Sequence, residues 1–425
     1  MSSQVPSNSV SSAGPGTPPF GESAVAVSEP VSAPAIQEYP SFEDMPIKED
    51  LLRGLLTYGF DKPSPIQRKA IVPISKGHDF LGQAQSGTGK TGAYLAGIMN
   101  RIDPTKNAVQ VVIGVPVREL ASQIGDVAKG IGSFMNNRKG IRVHVATGGP
   151  PVREDLAVLQ QSPLKEEHVP HILIATPGRL YDLLNRKAFN TNTVLSLVLD
   201  EADQMLEARF LEQVHCILSL TWPTTMQVVL MSATMIPELA AVAKRLLRNH
   251  VELLIPPEEV SLEGIKQWYV PMSNREEDKV DTLCDLFDHL AITQANIFVN
   301  TWQTAENLVS TMRKRGFDVD CTHGNMSKDE RDEKMARFRD GKIRVLISTD
   351  MLARGIDVQQ VQLVLNYELP VQRENYIHRI GRAGRHGRKG ASINFVSERE
   401  MMAQEEIVRF YGKKIRELPM DLDIY

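Results

Sequence analysis

The chain has 425 residues, 42% of them hydrophobic and 24% charged, and roughly 150 residues per domain predicts two or three globular domains, each able to bury a core. Its 48 Lys and Arg against 52 Asp and Glu leave a net charge of −4, which excludes a wholesale basic coat for nucleic acid but leaves room for a local basic groove. Cys216, Cys284 and Cys321 lie far apart with no CxxC spacing, which argues against a zinc site or disulfide framework and fits a reducing compartment. No apolar run approaches the roughly 18 residues of a membrane helix, so no membrane partner is expected. Residues 1–40 hold no Lys or Arg and so lack the marks of a signal or transit peptide. The expected compartment is the cytoplasm, with the nucleus as the alternative.

Residues 1–40 are rich in Ser, Pro, Ala and Gly, and such a segment buries too little apolar surface to offset its chain entropy. A disordered tail is expected there. From Phe42 onward, short β-branched runs alternate with helical patterns. A strand near 110–115 precedes ELASQIGDVAKGIGSF, HILIA (171–175) precedes RLYDLLN, SLVLD (196–200) ends in acid, and QVVLMS (227–232) precedes PELAAVAKRLLR. The segment IPPEEVSLEG (255–264) reads as a linker. Alternation then resumes with NIFVN (296–300), DVDC (318–321), RVLIS (344–348), QLVLN (362–366) and SINFV (392–396). Such alternation predicts α/β architecture, with parallel sheets covered by helices in two units, 41–254 and 265–425. No short-period repeat relates them, so any kinship between the halves is one of fold.

Ala84 to Thr91 read AQSGTGKT, a P-loop save for Ala84 at the first Gly. Gly87 and Gly89, with Ser86 and Thr88 between and before them, let backbone N–H groups curl around phosphate oxygens. Lys90 supplies a point charge for the β- and γ-phosphates, and Thr91 offers a hydroxyl to Mg²⁺ at a helix N-terminus that favours anions. A plain glycine turn before a helix would read similarly. LVLDEAD (197–203) is an apolar strand ending in Asp200 and Glu201. Such a strand end is where one carboxylate, Asp200, holds Mg²⁺ and the next, Glu201, orients or deprotonates the attacking water. An acidic first helical turn is the competing reading.

Asp200-Glu201-Ala202-Asp203 together with the P-loop resembles the DEAD-box RNA helicase family, and further family motifs follow in order over 41–425. The resemblance implies two tandem RecA-like domains: an ATP-binding one over 41–254 and a C-terminal helicase one over 265–425. GFDKPSPIQ (59–67) resembles the Q motif, which implies that Phe60 stacks on adenine and Gln67 hydrogen-bonds its edge. SAT (232–234) resembles the motif coupling hydrolysis to closure through Ser232 and Thr234. STDMLARGID (348–357) implies RNA contacts for Thr349 and Arg354 and nucleotide contacts for Gly355 and Asp357. HRIGRAGR (378–385) implies a coupling role for His378 and arginine fingers for Arg382 and Arg385. Since the second unit has no P-loop of its own, its arginines can complete a γ-phosphate site only if the units close on each other; a solvated basic face is the competing reading.

The resemblance also implies RNA-binding positions at Pro116, Arg118, Gly149, Thr176, Pro177, Gly178 and Arg179 in the first unit. In the second unit it implies Thr301, Arg331, Thr349 and Arg354. Guanidinium groups, hydroxyls and glycine N–H groups suit phosphate oxygens and carry little base information, so binding of single strands and short duplexes is expected to be sequence-tolerant and salt-sensitive. Val117 stands where the family usually has Thr, Lys328 replaces a usual Gln, Pro150 removes an N–H after the paired glycines, and 160–171 looks long. Within the family, LLRGLLTYGF, ARGIDVQQVQLVLNYELP and RENYIHRIGRAGRHGRKG resemble the translation initiation factor 4A subfamily and its nuclear paralogue. That likeness implies ATP and Mg²⁺ as cofactors, a monomer, a protein scaffold of the initiation type, and local unwinding of mRNA. An ATP-gated clamp of the exon junction type and a DNA helicase are the alternatives.

Overall fold

The computed structural model describes residues 36–84, 87–160, 169–206, 208–220, 222–254, 265–290, 294–350, 361–383, 390–419 and 424. The predicted tail, apart from residues 36–40, lies outside the described residues, as do the 255–264 linker, most of the 160–171 segment, and Ser86, Arg354, Gly355, Asp357 and Arg385.

Seven parallel strands form the first sheet: β1 (Phe80–Gln83), β2 (Val111–Gly114), β3 (Val143–Ala146), β4 (Ile172–Ala175), β5 (Ser196–Asp200), β6 (Gln227–Ser232) and β7 (Val251–Leu253), in the order β3-β4-β2-β5-β6-β1-β7. The helices around it are α1 (Glu49–Tyr58), α2 (Pro65–Ser75), α3 (Lys90–Met99), α4 (Arg118–Ile131), α5 (Val152–Leu159), α6 (Pro177–Asn185), α7 (Ala202–Met205), α8 (Ala208–Ser219) and α9 (Pro237–Leu246). The second sheet holds β8 (Ile265–Met272), β9 (Ala295–Phe298), β10 (Val319–Thr322), β11 (Val345–Ser348), β12 (Leu363–Asn366), β13 (Gly390–Ser397) and β14 (Arg416–Glu417). Its order, β10-β11-β9-β12-β13-β8-β14, repeats that of the first sheet strand for strand. Around it lie α10 (Glu276–His289), α11 (Trp302–Lys314), α12 (Lys328–Arg339), α13 (Glu374–Ile380) and α14 (Met401–Tyr411). The predicted kinship of the halves is therefore one of topology: two tandem RecA-like lobes.

The inner strands read as continuous apolar runs because helices cover both faces of each sheet. Alternate residues enter opposite cores: Val111 and Ile113 face one with Val198, while Val112 faces the other with Leu197 and Leu199. In the second lobe Ile297 and Ile347 enter one core, and Phe298 and Leu346 the other. Each such side chain contributes about 1.5–3 kcal/mol through burial. Helix α4 shows the matching helical period, burying Leu120, Ile124, Ala128 and Ile131.

Strands β5 and β6 coincide with the sequence expectation, and β2, β4 and β9 to β13 lie within one or two residues of it. Sequence patterning missed β1, β3, β7, β8 and β14. β1 reads FLGQ, with no β-branched residue, and is a strand because β6 and β7 pair with both its edges. β8 carries Pro271, which argues against a strand by propensity, yet it pairs with β13 over eight residues. Both sheets lie within one compact unit, Ala33–Tyr425. No described helix is long and apolar enough to cross a membrane.

Candidate functional site

Strand order divides the carboxyl edge of each sheet in two, and that edge is where ligands bind in α/β folds. In the first lobe the adjacent strands β5, β6 and β1 deliver Asp200 and Glu201, the Ser232–Thr234 turn, and the P-loop. The other three adjacent strands, β3, β4 and β2, deliver Gly149, Thr176–Arg179, and Pro116 with Arg118. The second lobe repeats the division. β10, β11 and β9 lead to Arg331, Thr349 and Thr301, and the chain after β12 leads to His378 and Arg382.

At the P-loop, Gly87 and Gly89 have φ of +83° and +94°, in the left-handed region that glycine tolerates. A Cβ on Gly89 would lie 2.7 Å from Gln67 Nε2. Gln67 is buried and closes the N-terminus of α2: its Oε1 accepts from Ser64 N at 2.8 Å, while its Nε2 donates to Gly89 O at 3.2 Å. The predicted adenine reader is thus wired to the phosphate loop. Phe60 stacks on Tyr58, with centroids 5.8 Å apart, and packs against Gly92 of α3.

Lys90 is buried at the start of α3, and its Nζ lies 3.3 Å from Glu201 Oε1. Glu201 adopts a left-handed backbone, φ +52°, a strain typical of active sites. Its Oε2 is buried with no hydrogen-bond partner and lies 3.9 Å from His378 Nδ1. Asp200 accepts from Tyr94 OH at 3.0 Å and from Glu201 N at 2.9 Å. Burial, reinforced by the Glu201 charge, pushes the Asp200 carboxyl up to about 6. Burial also acts to raise Glu201, but Lys90, His378 and Arg382 together hold it below the usual range. The Tyr94 hydroxyl is raised by burial and by Asp200, and also hydrogen-bonds Thr91. Sequence reasoning missed Tyr94; the available signal was its place one helical turn after Lys90.

Asp203 joins the lobes. Thr234 Oγ1 donates to Asp203 Oδ2 at 2.5 Å, and His378 Nε2 meets the same oxygen at 3.2 Å. Where Asp203 is ionised it only accepts, and a hydrogen bond at this contact then requires a proton on His378 Nε2. Ser232 Oγ shapes the turn by donating to Thr234 O at 2.7 Å. Arg382 is buried, and its Nε donates to His378 O at 3.0 Å. Glu201, Asp203 and His378 present ligand atoms within 4.8 Å of one another. A buried acidic pair, one member raised by burial and the other with an unpartnered oxygen, suits a divalent cation and a phosphate ligand beside Lys90.

Six of the remaining predicted residues, Pro116, Arg118, Thr176, Gly178, Arg179 and Arg331, line a groove of about 520 Å³ between the lobes together with Gly324, while Gly149, Pro177, Thr301 and Thr349 are not part of its lining. Arg118 lies over the paired glycines: a Cβ on Gly149, φ +108°, would sit 3.0 Å from its guanidinium. A Ser327–Glu330 capping box sets the start of α12 and hence Arg331. Arg331 crosses to Glu119 of the first lobe at 3.1 Å, both side chains nearly buried, while its Nε has no hydrogen-bond partner. Arg179 is held within its own lobe. It donates to buried Asp155, which also contacts His144 Nε2 at 2.8 Å, and to Pro150 O at 2.5 Å. Thr301 Oγ1 caps α11 by accepting from Thr304 N at 3.1 Å. Nothing in the periodicity of α4 or α5 singled out Glu119 or Asp155.

Arg379 belongs to no solvated basic face. It is fully buried, donating to both oxygens of Asp350 beside Thr349, to Asn300 Oδ1 beside Thr301 at 2.7 Å, and to Glu368 O at 2.6 Å.

Two RecA-like lobes that meet across a P-loop and an acidic strand end form a helicase-type ATPase core. Residues 64–242 match the family described as DEAD/DEAH box helicase, and residues 278–387 match the helicase conserved C-terminal domain. The ATP-dependent RNA helicase eIF4A of Chaetomium globosum is 47% identical over 382 residues, covering 90% of this chain and 93% of that protein. Among solved structures, S. cerevisiae Dbp5 bound to RNA and ADP BeF3 superposes with a TM-score of 0.79 at 33% identity, over 89% of this chain and 95% of that one. A DEAD box protein from Methanococcus jannaschii gives 0.53 at 31% identity, over 90% and 100%. The chain belongs to the DEAD-box family and is an ATP-dependent RNA helicase of the eIF4A type.

Proposed function

We propose that the chain couples ATP hydrolysis to local unwinding of mRNA in translation initiation, acting in the cytoplasm as a monomer that docks on an initiation-type scaffold. The observation that supports this most directly is the meeting of Glu201 and Asp203 of one lobe with His378 of the other, beside Lys90. The eIF4A likeness supports the pathway.

In this reading Phe60 and Gln67 select adenine, and the loop from Ser86 to Thr91 cradles the phosphates. Lys90 leaves Glu201 to meet the β- and γ-phosphates, which frees Glu201 to orient the attacking water. Asp200 and Thr91 hold Mg²⁺, which when bound neutralises charge on the phosphates. Arg382 and Arg385 act from the second lobe, and such arginines contribute ~10³ to 10⁵ in rate in related phosphoryl-transfer sites. Gly355 and Asp357 complete the nucleotide contacts.

Pro116, Arg118, Gly149, Thr176, Pro177, Gly178, Thr301, Arg331, Thr349 and Arg354 hold the RNA backbone. Arg179, with its guanidinium engaged by Asp155 and Pro150, serves by fixing the turn rather than by reaching for phosphate. The unpartnered, buried Arg331 Nε–H supports a phosphate in the groove. His378, Ser232 and Thr234 transmit closure between the lobes. The superposition on RNA-bound Dbp5 supports the reading of the groove as an RNA path.

Steady-state ATPase assays with single-stranded RNA and DNA, beside strand separation of a short RNA duplex, test the activity. Equal stimulation by DNA, or no strand separation, would overturn it. A tagged pull-down from native extract tests the pathway: recovery of a cap-binding scaffold is expected, and recovery of splicing factors would overturn initiation.

A further inference from the structure

The chain has three tryptophans. Trp222 and Trp268 are partly buried and donate their indole N–H groups to backbone carbonyls, Ile217 O at 2.8 Å and Ile424 O at 3.3 Å. Trp302 differs: it is 39% exposed, at the first position of α11 directly after Thr301. Its ring is backed by buried His323, with centroids 6.1 Å apart at 44°, and His323 precedes Gly324, which lines the interlobe groove. The indole therefore sits beyond the carboxyl ends of β9 and β10, directly after the predicted RNA position Thr301, with His323 against one side and solvent on another.

We propose that Trp302 is a stacking platform for a base of the bound RNA strand, adding a base contact to a groove otherwise built to hold the backbone. This rests on reading the groove as the RNA path. Glu306, one turn further along α11, pairs with His323 at 3.3 Å and puts a carboxylate beside the indole. That charge disfavours a phosphate and leaves a base as the part the indole meets. Every base has a π-face, so such a contact adds affinity without a sequence code. The position directly after Thr301, at the sheet edge that also leads to Arg331 and Thr349, favours RNA over a protein partner.

The test compares a single-stranded oligoadenylate with the same strand carrying abasic sites, in the presence of Mg²⁺ and a nonhydrolysable ATP analogue. The unsubstituted protein should prefer the base-bearing strand; in Trp302→Ala that preference should shrink about five- to tenfold, and Trp302→Phe should retain most of it. RNA should also quench an exposed indole signal that Trp302→Phe lacks. If Trp302→Ala and the unsubstituted chain show the same base preference, the platform is refuted while RNA binding stands. If the unsubstituted protein binds neither strand, the underlying reading of the groove fails, and the platform with it.

Discussion

His378 and Arg379 are neighbours on α13 and reach opposite halves of the carboxyl edge. His378 meets Asp203 of the first lobe at 3.2 Å, while Arg379 donates to Asn300 at 2.7 Å and Asp350 at 3.0 Å. One short helix thus ties the acidic strand end to the loops that carry Thr301 and Thr349. Asn300→Ala removes one of these ties without touching the P-loop. RNA-stimulated turnover should fall severalfold while turnover without RNA stays unchanged, with a stability loss of about 1.5–3 kcal/mol for a hydrogen bond to a buried charged group. ATPase titrations with RNA check this, and equal losses in both rates would argue against a coupling role.

Glu119 and Arg331 link the lobes through a nearly buried ion pair. A double-mutant cycle with Glu119→Ala and Arg331→Ala should show a coupling of about 1–3 kcal/mol in RNA affinity with a nonhydrolysable ATP analogue. Additive effects would mean that the pair does not contribute to the RNA-bound state.

Glu201→Gln keeps the shape of the side chain but removes both its charge and its basicity. ATP turnover should drop ~10²- to 10⁴-fold, and the protein should stay on RNA in a closed state when ATP is present. Undiminished turnover would remove Glu201 from the catalytic assignment.

Asp155→Asn turns an amide toward the Arg179 guanidinium and loosens the brace between Pro150 and the Thr176–Gly178 turn. The KM for RNA should rise about tenfold, with turnover at saturating RNA little changed. Arg179→Lys, which keeps the charge but loses the fork, should behave alike. A loss confined to turnover would place the brace elsewhere in the mechanism.

His171 is fully buried, its Nδ1 accepts from Arg142 N at 3.1 Å, and burial together with the Arg142 charge pushes its pKa down to about 4. The unfolded chain takes up this proton near pH 6.5 and the folded one does not, so stability is lost as pH falls from 6.5 towards 4. At pH 5 the loss is roughly 2 kcal/mol, from ~1.4 kcal/mol per pH unit. His171→Asn retains an acceptor and does not titrate, so its melting temperature should fall less between pH 7 and pH 5. An unchanged pH dependence would show that His171 is not responsible.

Local patterning made much of this protein legible. Contiguous motifs singled out Lys90, Asp200 and Glu201, because phosphate loops and strand-end carboxylates need particular residues within a few positions of each other; Ser232, Thr234, His378 and Arg382 were marked only by the family resemblance. Apolar runs such as SLVLD and QVVLMS announced β5 and β6, because a strand covered on both faces must be apolar throughout. Folding supplied the rest. β1 is a strand through its neighbours and not its composition. The Lys90–Glu201 pair spans 111 positions, and the His378–Asp203 contact spans 175. Partners that far apart leave no periodic trace in the chain; strand order brings them to one edge. Arg179 and Arg379 look alike in a sequence, as basic residues within two positions of a glycine. Only packing decides that Asp155 and Asp350 claim them, because a buried guanidinium is tolerable only where enough acceptors converge on it.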